Sequence, residues 1–362
     1  MNSTGNEQGT QGQPARKRRG CLGCLGRAAI GVAVCLAIVL IAGAIYQSAT
    51  SAADLAKYPP PGRMVSVGDH RLHLYCTGAG APTVILEAGA SSPALTWHKV
   101  QQEIATFTRV CSYDRAGFGW SDRVSGGRSP EQVATELHAL LVAASVPGPY
   151  VLVGHSAGGL YVRSFAGRYP SETAGLVLVD SSSEGESLRY PPEYQQMAGA
   201  QSMQMQFCQV VAPFGLVRLM RILDALAPES SGPADVRAAA AATLYQTPYC
   251  QAASEEMQAL AAVTGRPGTP AALGDLPLIV LTAGMTAEEE YAQLPESVRS
   301  MVSLDLLAKV YAAHQEAQRG LAGLSTRGKQ VIATESGHYI QWDQPELVID
   351  AVRDVMDEVR GE

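Results

Sequence analysis

The pattern that most constrains this chain is a set of six short, nearly all-apolar runs bounded by turn residues. They are Thr83 to Leu86, Arg109 to Tyr113, Tyr150 to Val153, Leu176 to Val179, Leu278 to Leu281 and Val331 to Thr334. Near-continuous apolar runs without polar alternation are the mark of strands buried on both faces, as in a parallel sheet covered by helices. Helical patterns fall between them. Ser129-Pro130-Glu131-Gln132 offers an N-cap, a proline at the first helical position and a capping-box partner, ahead of Val133, Leu137, Leu140, Leu141 and Ala144. Near the C-terminus Leu347, Val348, Ala351, Val352, Val355, Met356 and Val359 recur at three and four residues, a stripe that packs on a sheet. Strands alternating with helices predict an α/β fold with a mostly parallel, doubly wound sheet. Before them, Met64 to Val67, the turn Gly68-Asp69 and His70 to Thr77 predict a β-hairpin.

Ala28 to Tyr46 carries no charge and would make roughly 28 Å of helix at 1.5 Å per residue, enough to span a bilayer. It predicts an N-terminal transmembrane signal anchor. A cleaved secretory signal is the competing reading, because small residues follow from Gln47 to Ala53, and a buried core helix is a third. Arg16, Lys17, Arg18, Arg19 and Arg27 precede the span against Glu7 alone, so residues 1–27 read as a basic cytoplasmic tail and the body as extracytoplasmic. Residues 47–62, ending in Pro59-Pro60-Pro61-Gly62, are expected to form a linker without helix.

Cys21 and Cys24 form a single C-x-x-C that lacks two further ligands for zinc, and they read as small boundary residues or as acylation sites. Cys35 is apolar packing in the span. Cys76, Cys111, Cys208 and Cys250 remain in the exported part, where disulfides are permitted. Residues 181–274 hold no strand-like run and predict a helical insertion, leaving 63–180 and 275–362 as the core. A net charge of −7 argues against a nucleic-acid partner, and 46% hydrophobic with 17% charged residues excludes a disordered chain.

The chemistry concentrates at Gly154-His155-Ser156-Ala157-Gly158, a G-x-S-x-G that follows an apolar strand and precedes a helical stretch. A serine on so sharp a turn needs strained dihedrals, and its glycine neighbours let the flanking backbones pass. The Ala157 amide, at the helix start, points where an oxyanion would form. These residues in this context resemble the α/β-hydrolase superfamily, over about Arg63 to Val359.

The resemblance implies further roles. Glu87-Ala88-Gly89-Ala90 occupies the place of the family's His-Gly oxyanion loop, with Ala88 where histidine is usual and the Ala90 amide as second donor. Tyr113 to Ser121 resembles the D-R-x-G-x-G-x-S loop and reads as a structural turn. Of seven histidines, His338, between the last strand and the C-terminal helix, stands where the family keeps its general base. The orienting acid is Asp180 at the end of its strand, with Glu288 or its neighbours Glu289 and Glu290 as the alternative and a purely structural Asp180 as a third reading. Glu335 reads as a surface or supporting group, and His314 falls in a polar helical stretch.

A serine hydrolase cleaving carboxylic esters or related acyl bonds is the implied activity. A lyase or acyltransferase of the same fold, and a non-catalytic binding protein, stay open. No metal or organic cofactor is implied, and oligomeric state is not readable. The insertion is expected to roof the acyl pocket, with Met197, Met203, Met205 and Phe207 as an adaptable apolar lining suited to a hydrophobic acyl substrate. The superfamily's strand order implies pairing of Cys76 with Cys111, leaving Cys208 with Cys250. Four free thiols are expected instead if the body is cytoplasmic.

Overall fold

The computed structural model describes residues 1, 9, 21–124, 126–226, 228–294 and 296–361. Residues 16–19 of the basic tail and the side chains of Cys21 and Cys24 lie outside this description. The chain begins with helix α1, Cys21–Lys57, then forms the hairpin β1 (Arg63–Val67) and β2 (His70–Thr77). There follow β3 (Thr83–Glu87), α2 (His98–Ile104), β4 (Val110–Tyr113), α3 (Pro130–Ala143), β5 (Tyr150–His155), α4 (Ala157–Arg168) and β6 (Thr173–Val179). The insertion then holds α5 (Pro192–Val211), α6 (Leu216–Leu219), α7 (Ala234–Leu244) and α8 (Thr247–Thr264). After it come β7 (Leu278–Ala283), two short helices α9 (Ala287–Gln293) and α10 (Glu296–Arg299), α11 (Leu304–Ala322), β8 (Gly328–Ala333), α12 (Ile340–Asp343) and α13 (Pro345–Arg360).

The eight strands form one sheet in the order β1-β2-β4-β3-β5-β6-β7-β8. The pairs β1/β2 and β2/β4 are antiparallel and the others parallel. Alternate residues of the central strands feed opposite layers. Ile85, Leu152, Leu176, Leu178 and Val280 pack with Leu137, Leu140, Phe165 and Leu321 on one side. Val84, Leu86, Val151, Val153, Val177 and Leu281 pack with Trp97, Val100, Val348, Val352 and Val355 on the other. Ser129 caps α3 with the expected capping box.

Register sets the site. Glu87 pairs with Gly154 and His155 with Val179, so Ala88, Ser156 and Asp180 all leave the sheet at one edge. Cys76 lies opposite Cys111 in the β2/β4 ladder, with α-carbons 4.0 Å apart and a disulfide between them. A second disulfide joins Cys208 of α5 to Cys250 of α8, with α-carbons 5.6 Å apart.

Three expectations are corrected. The linker begins only after Lys57, because α1 runs unbroken through Gln47 to Lys57; no helix breaker occurs before Pro59, and Gln47 is buried, donating to the Tyr245 carbonyl at 2.8 Å. Strand β8 starts at Gly328, earlier than expected, because an edge strand tolerates Lys329 and Gln330. Met203 and Phe207 point outward, 65% and 62% exposed, whereas Met205 and Met197 pack within smaller apolar clusters. Helix α1 contains a segment, Leu25–Lys57, long and apolar enough to cross a membrane, with mean hydropathy 2.8 in its most apolar window.

Candidate active site

Ser156 sits between β5 and α4 at φ 52° and ψ −121°, a left-handed conformation that costs a non-glycine residue energy and persists only where packing enforces it. The enforcement is visible. A Cβ at Gly154 would lie 2.6 Å from Gly158, and one at Gly158 would lie 2.5 Å from the Glu87 carbonyl oxygen, so both glycines are needed for strand, turn and helix to pass. The Ser156 amide donates to the Val179 carbonyl, and its own carbonyl accepts from Gly159 and Ser182. A Cβ at Gly89 would stand 3.3 Å from Ser156 Cβ, which brings the loop Ala88-Gly89-Ala90 beside the serine.

His338 follows β8 and is 45% exposed; its Nδ1 donates to Asp180 Oδ2 at 2.7 Å. With Nδ1 protonated by that bond, Nε2 is left free to accept a proton. His155 ties the two loops together. Its Nε2–H donates to the His338 carbonyl at 2.9 Å, and burial, reinforced by the nearby His338, lowers it to about 3 and keeps it neutral. Asp180 leaves β6 at φ 42°, which turns its carboxylate toward both β7 and the His338 loop. Its Oδ1 accepts from the Ala283 amide at 2.9 Å and from His314 Nε2 at 3.0 Å. Burial alone would raise the Asp180 carboxyl, but His314 and then His338 hold it well below the usual carboxylate range.

Among the described residues the carboxylate bonded to His338 is Asp180. Glu288 instead lies in the first turn of α9, behind the capping box made by Thr286 and Glu289. The sequence reading missed His314. Helix α11 aims it at Asp180, while its Nδ1 donates to Glu186 at 2.5 Å. Burial lowers this ring, but the charges of Asp180 and Glu186 overcome that and push it up to about 10. One turn on, Gln318 donates to the Ser181 carbonyl at 2.6 Å. The available signal was periodicity: Leu307, Val310, His314, Ala317 and Leu321 lie on one stripe, and all but the histidine are apolar.

Behind the Ala88-Gly89-Ala90 loop sits a second buried network. Arg115 donates to Glu87 at 2.7 Å, to the Ala88 carbonyl at 2.8 Å, to the Gly89 carbonyl at 2.7 Å and to Glu256 at 2.8 Å. Glu256 comes from α8 of the insertion and accepts from the Ser91 amide at 2.5 Å, while Tyr249 of the same helix donates to the Ser91 carbonyl. Burial raises Glu87 to about 7 against the pull of Arg115 and Tyr113. Asp114 accepts from buried His73 at 2.7 Å and from the Ala94 amide at 2.7 Å. The Tyr113 to Ser121 loop is thus a structural turn that also braces the loop beside Ser156. Among the described residues no group of three or more His, Cys, Asp or Glu is arranged to hold a metal ion.

A sequence profile described as the alpha/beta hydrolase family matches residues 78–351, most of the chain and all of these features after the hairpin. The chain belongs to the alpha/beta hydrolase family. A protein of Gibberella zeae named as an AB hydrolase superfamily protein is 25% identical over 291 residues, covering 77% of this hydrolase and 87% of that protein. An uncharacterized protein of Schizosaccharomyces pombe is 35% identical over 153 residues, which are 34% of this chain and only 29% of that relative. Solved structures share the fold. An esterase from Thermogutta terrifontis matches with a TM-score of 0.54 at 20% identity, over 82% of this hydrolase and 98% of the esterase. An enol-lactonase from Burkholderia xenovorans matches with a TM-score of 0.57 at 16% identity, over 81% and 99% of the two chains. Profile and solved structures agree on the alpha/beta hydrolase fold.

Proposed function

We propose that this chain is a serine hydrolase that cleaves a carboxylic ester, or a related acyl bond, through an acyl-enzyme intermediate. Ser156 Oγ attacks the acyl carbon while His338 Nε2 takes the hydroxyl proton. The oxyanion forms between the Ala157 and Ala90 amides. Collapse breaks the bond to the leaving group, which departs with the proton from His338. Water then attacks the acyl-serine with His338 again as base, releasing the acid and restoring Ser156. Asp180 holds the imidazole in the working tautomer and balances its transient charge.

The observation that carries this reading is the 2.7 Å bond from His338 Nδ1 to a buried Asp180, at the same sheet edge as a left-handed Ser156. A serine at this turn, in place of an acidic residue, favours acyl chemistry. The reading extends to place: α1 anchors the hydrolase in a membrane, with the basic residues before it cytoplasmic and the catalytic body on the other side. Two disulfides support that assignment, since such bonds persist in oxidising compartments.

The test is covalent labelling of the full-length protein with a fluorophosphonate, together with hydrolysis of p-nitrophenyl esters graded by chain length. Wild type should label and turn over ester, and Ser156→Ala should do neither. Equal labelling of the two proteins would overturn the assignment, and inertness of wild type toward both reagents would favour a non-catalytic role.

A further inference from the structure

Helix α1 is already in contact with the insertion before its uncharged run ends. Gly43 lies one turn inside that run, and a Cβ there would stand 2.5 Å from the Phe214 carbonyl oxygen. Gly215 meets the Tyr46 ring just as closely, at 2.8 Å from an added Cβ. Polar anchoring starts on the far side of this contact. Gln47 donates to the Tyr245 carbonyl at 2.8 Å and lies 3.3 Å from Thr247 Oγ1, while Arg218 pairs with Asp54. Whatever phase surrounds Gly43 therefore also surrounds the cap segment pressed against it.

The cap surface around Phe214 is apolar and open. Met203, Phe207 and Val210 recur at four and three residues along α5 and are 62–65% exposed. Leu219 and Met220, just beyond Gly215, are 62% and 68% exposed. All five are solvent-exposed, so their apolar character is not explained by packing inside the cap. Clusters of this kind are uncommon on surfaces that face only water.

We propose that this face of the cap, formed by Met203, Phe207, Val210, Leu219 and Met220, seats in the lipid surface of the same bilayer that α1 crosses. The proposal rests on reading α1 as a membrane span. Depth agrees with it: Gly43 to Tyr46 is about 4 to 5 Å of helix rise, close to the ~5–10 Å at which interfacial elements bury their apolar faces. A lipid occupant follows from the anchored helix beside the patch, which already brings that face to the membrane. Seated there, the insertion lies between lipid and the catalytic edge, since its helix α8 also contacts the loop beside Ser156 through Glu256 and Tyr249. The acyl substrate this favours is an apolar one that partitions into the bilayer.

Depth-dependent quenching tests the contact in the full-length protein. Single tryptophans are placed at Val39 in the span, at Phe207 and Leu219 in the patch, and at Val142, exposed on α3. Each variant is reconstituted in phosphatidylcholine vesicles with or without brominated acyl chains, wild-type emission is subtracted, and an unchanged melting temperature shows that the fold is kept. Brominated lipid should at least halve emission from Val39→Trp, Phe207→Trp and Leu219→Trp and leave Val142→Trp unchanged. If Val39→Trp is quenched while both patch variants behave like Val142→Trp, the cap contact is overturned and the span stands. If Val39→Trp also escapes quenching, the span reading fails and the proposal falls with it. Neither result bears on Ser156, which fluorophosphonate labelling reads separately.

Discussion

His314→Leu removes the cation that Asp180 and Glu186 share. The ring donates to Asp180 at 3.0 Å and to Glu186 at 2.5 Å, and the two carboxylates are only 3% and 5% exposed. Raising the ring from its ordinary 6.5 to about 10 means that the folded chain prefers the charged form by roughly 4 to 5 kcal/mol over the unfolded chain. A group whose affinity for its proton rises on folding stabilises fully below about pH 6.5, where both states hold the proton. Its contribution then shrinks as pH climbs and is lost above about pH 10. Leucine preserves much of the volume but strands two buried carboxylates, so the loss should be roughly 4 kcal/mol. At about 2 °C per kcal/mol for a body of this size, the melting temperature should fall by roughly 8 °C near pH 6. Melts of both proteins in one detergent, followed by tryptophan fluorescence from about pH 6 to 10.5, should show the gap narrowing steadily with pH. A gap under about 2 °C at pH 6, or one that stays constant across the range, would refute the charged clamp.

Other substitutions probe other parts of the machinery. Asp180→Asn should lower kcat on p-nitrophenyl esters by about 10⁴-fold, and the assignment fails if Glu288→Gln produces that loss while Asp180→Asn does not. Arg115→Met leaves Glu87 and Glu256 buried without their shared cation and should cost about 3 to 5 kcal/mol in urea unfolding; a loss below about 1 kcal/mol would show that the network is dispensable. Replacing Cys208 and Cys250 together by serine opens a loop with a sequence separation of 42 residues and should remove roughly 4 kcal/mol by chain entropy. Limited proteolysis should then cut the insertion first, and cleavage no faster than in wild type would contradict this.

The strands were legible because their near-continuous apolar runs stay buried on both faces, and the meeting of Ser156, His338 and Asp180 at one sheet edge was legible because each follows or ends a strand there. His314 was not, since Gln315, Glu316 and Arg319 beside it mask the apolar stripe that carries the histidine inward. Local chemistry gave no hint that an imidazole from a helix between β7 and β8 would reach back to β6. Met203 and Phe207 were misread for a related reason: apolar residues on an insertion look the same whether they face a pocket or the outside, and only the packing of α5 on α8 decides. The helical course of Gln47 to Lys57 depended on partners distant in sequence, Tyr245, Thr247 and Arg218.

That unbroken course governs how the enzyme can move. Had Gln47 to Lys57 been a flexible leash of about 11 residues, the body could have wandered on the order of 18 Å from its anchoring point, sampling both solution and surface in every orientation. A continuous helix clasped by Gln47, Asp54 and the Gly43–Phe214 contact makes a mast instead. With α1 as the membrane span proposed above, the edge that carries Ser156 is held at one height and one bearing above the lipid headgroups, so encounters would be drawn from a two-dimensional pool passing beneath it, and the rate should follow the surface density of substrate more closely than its bulk concentration.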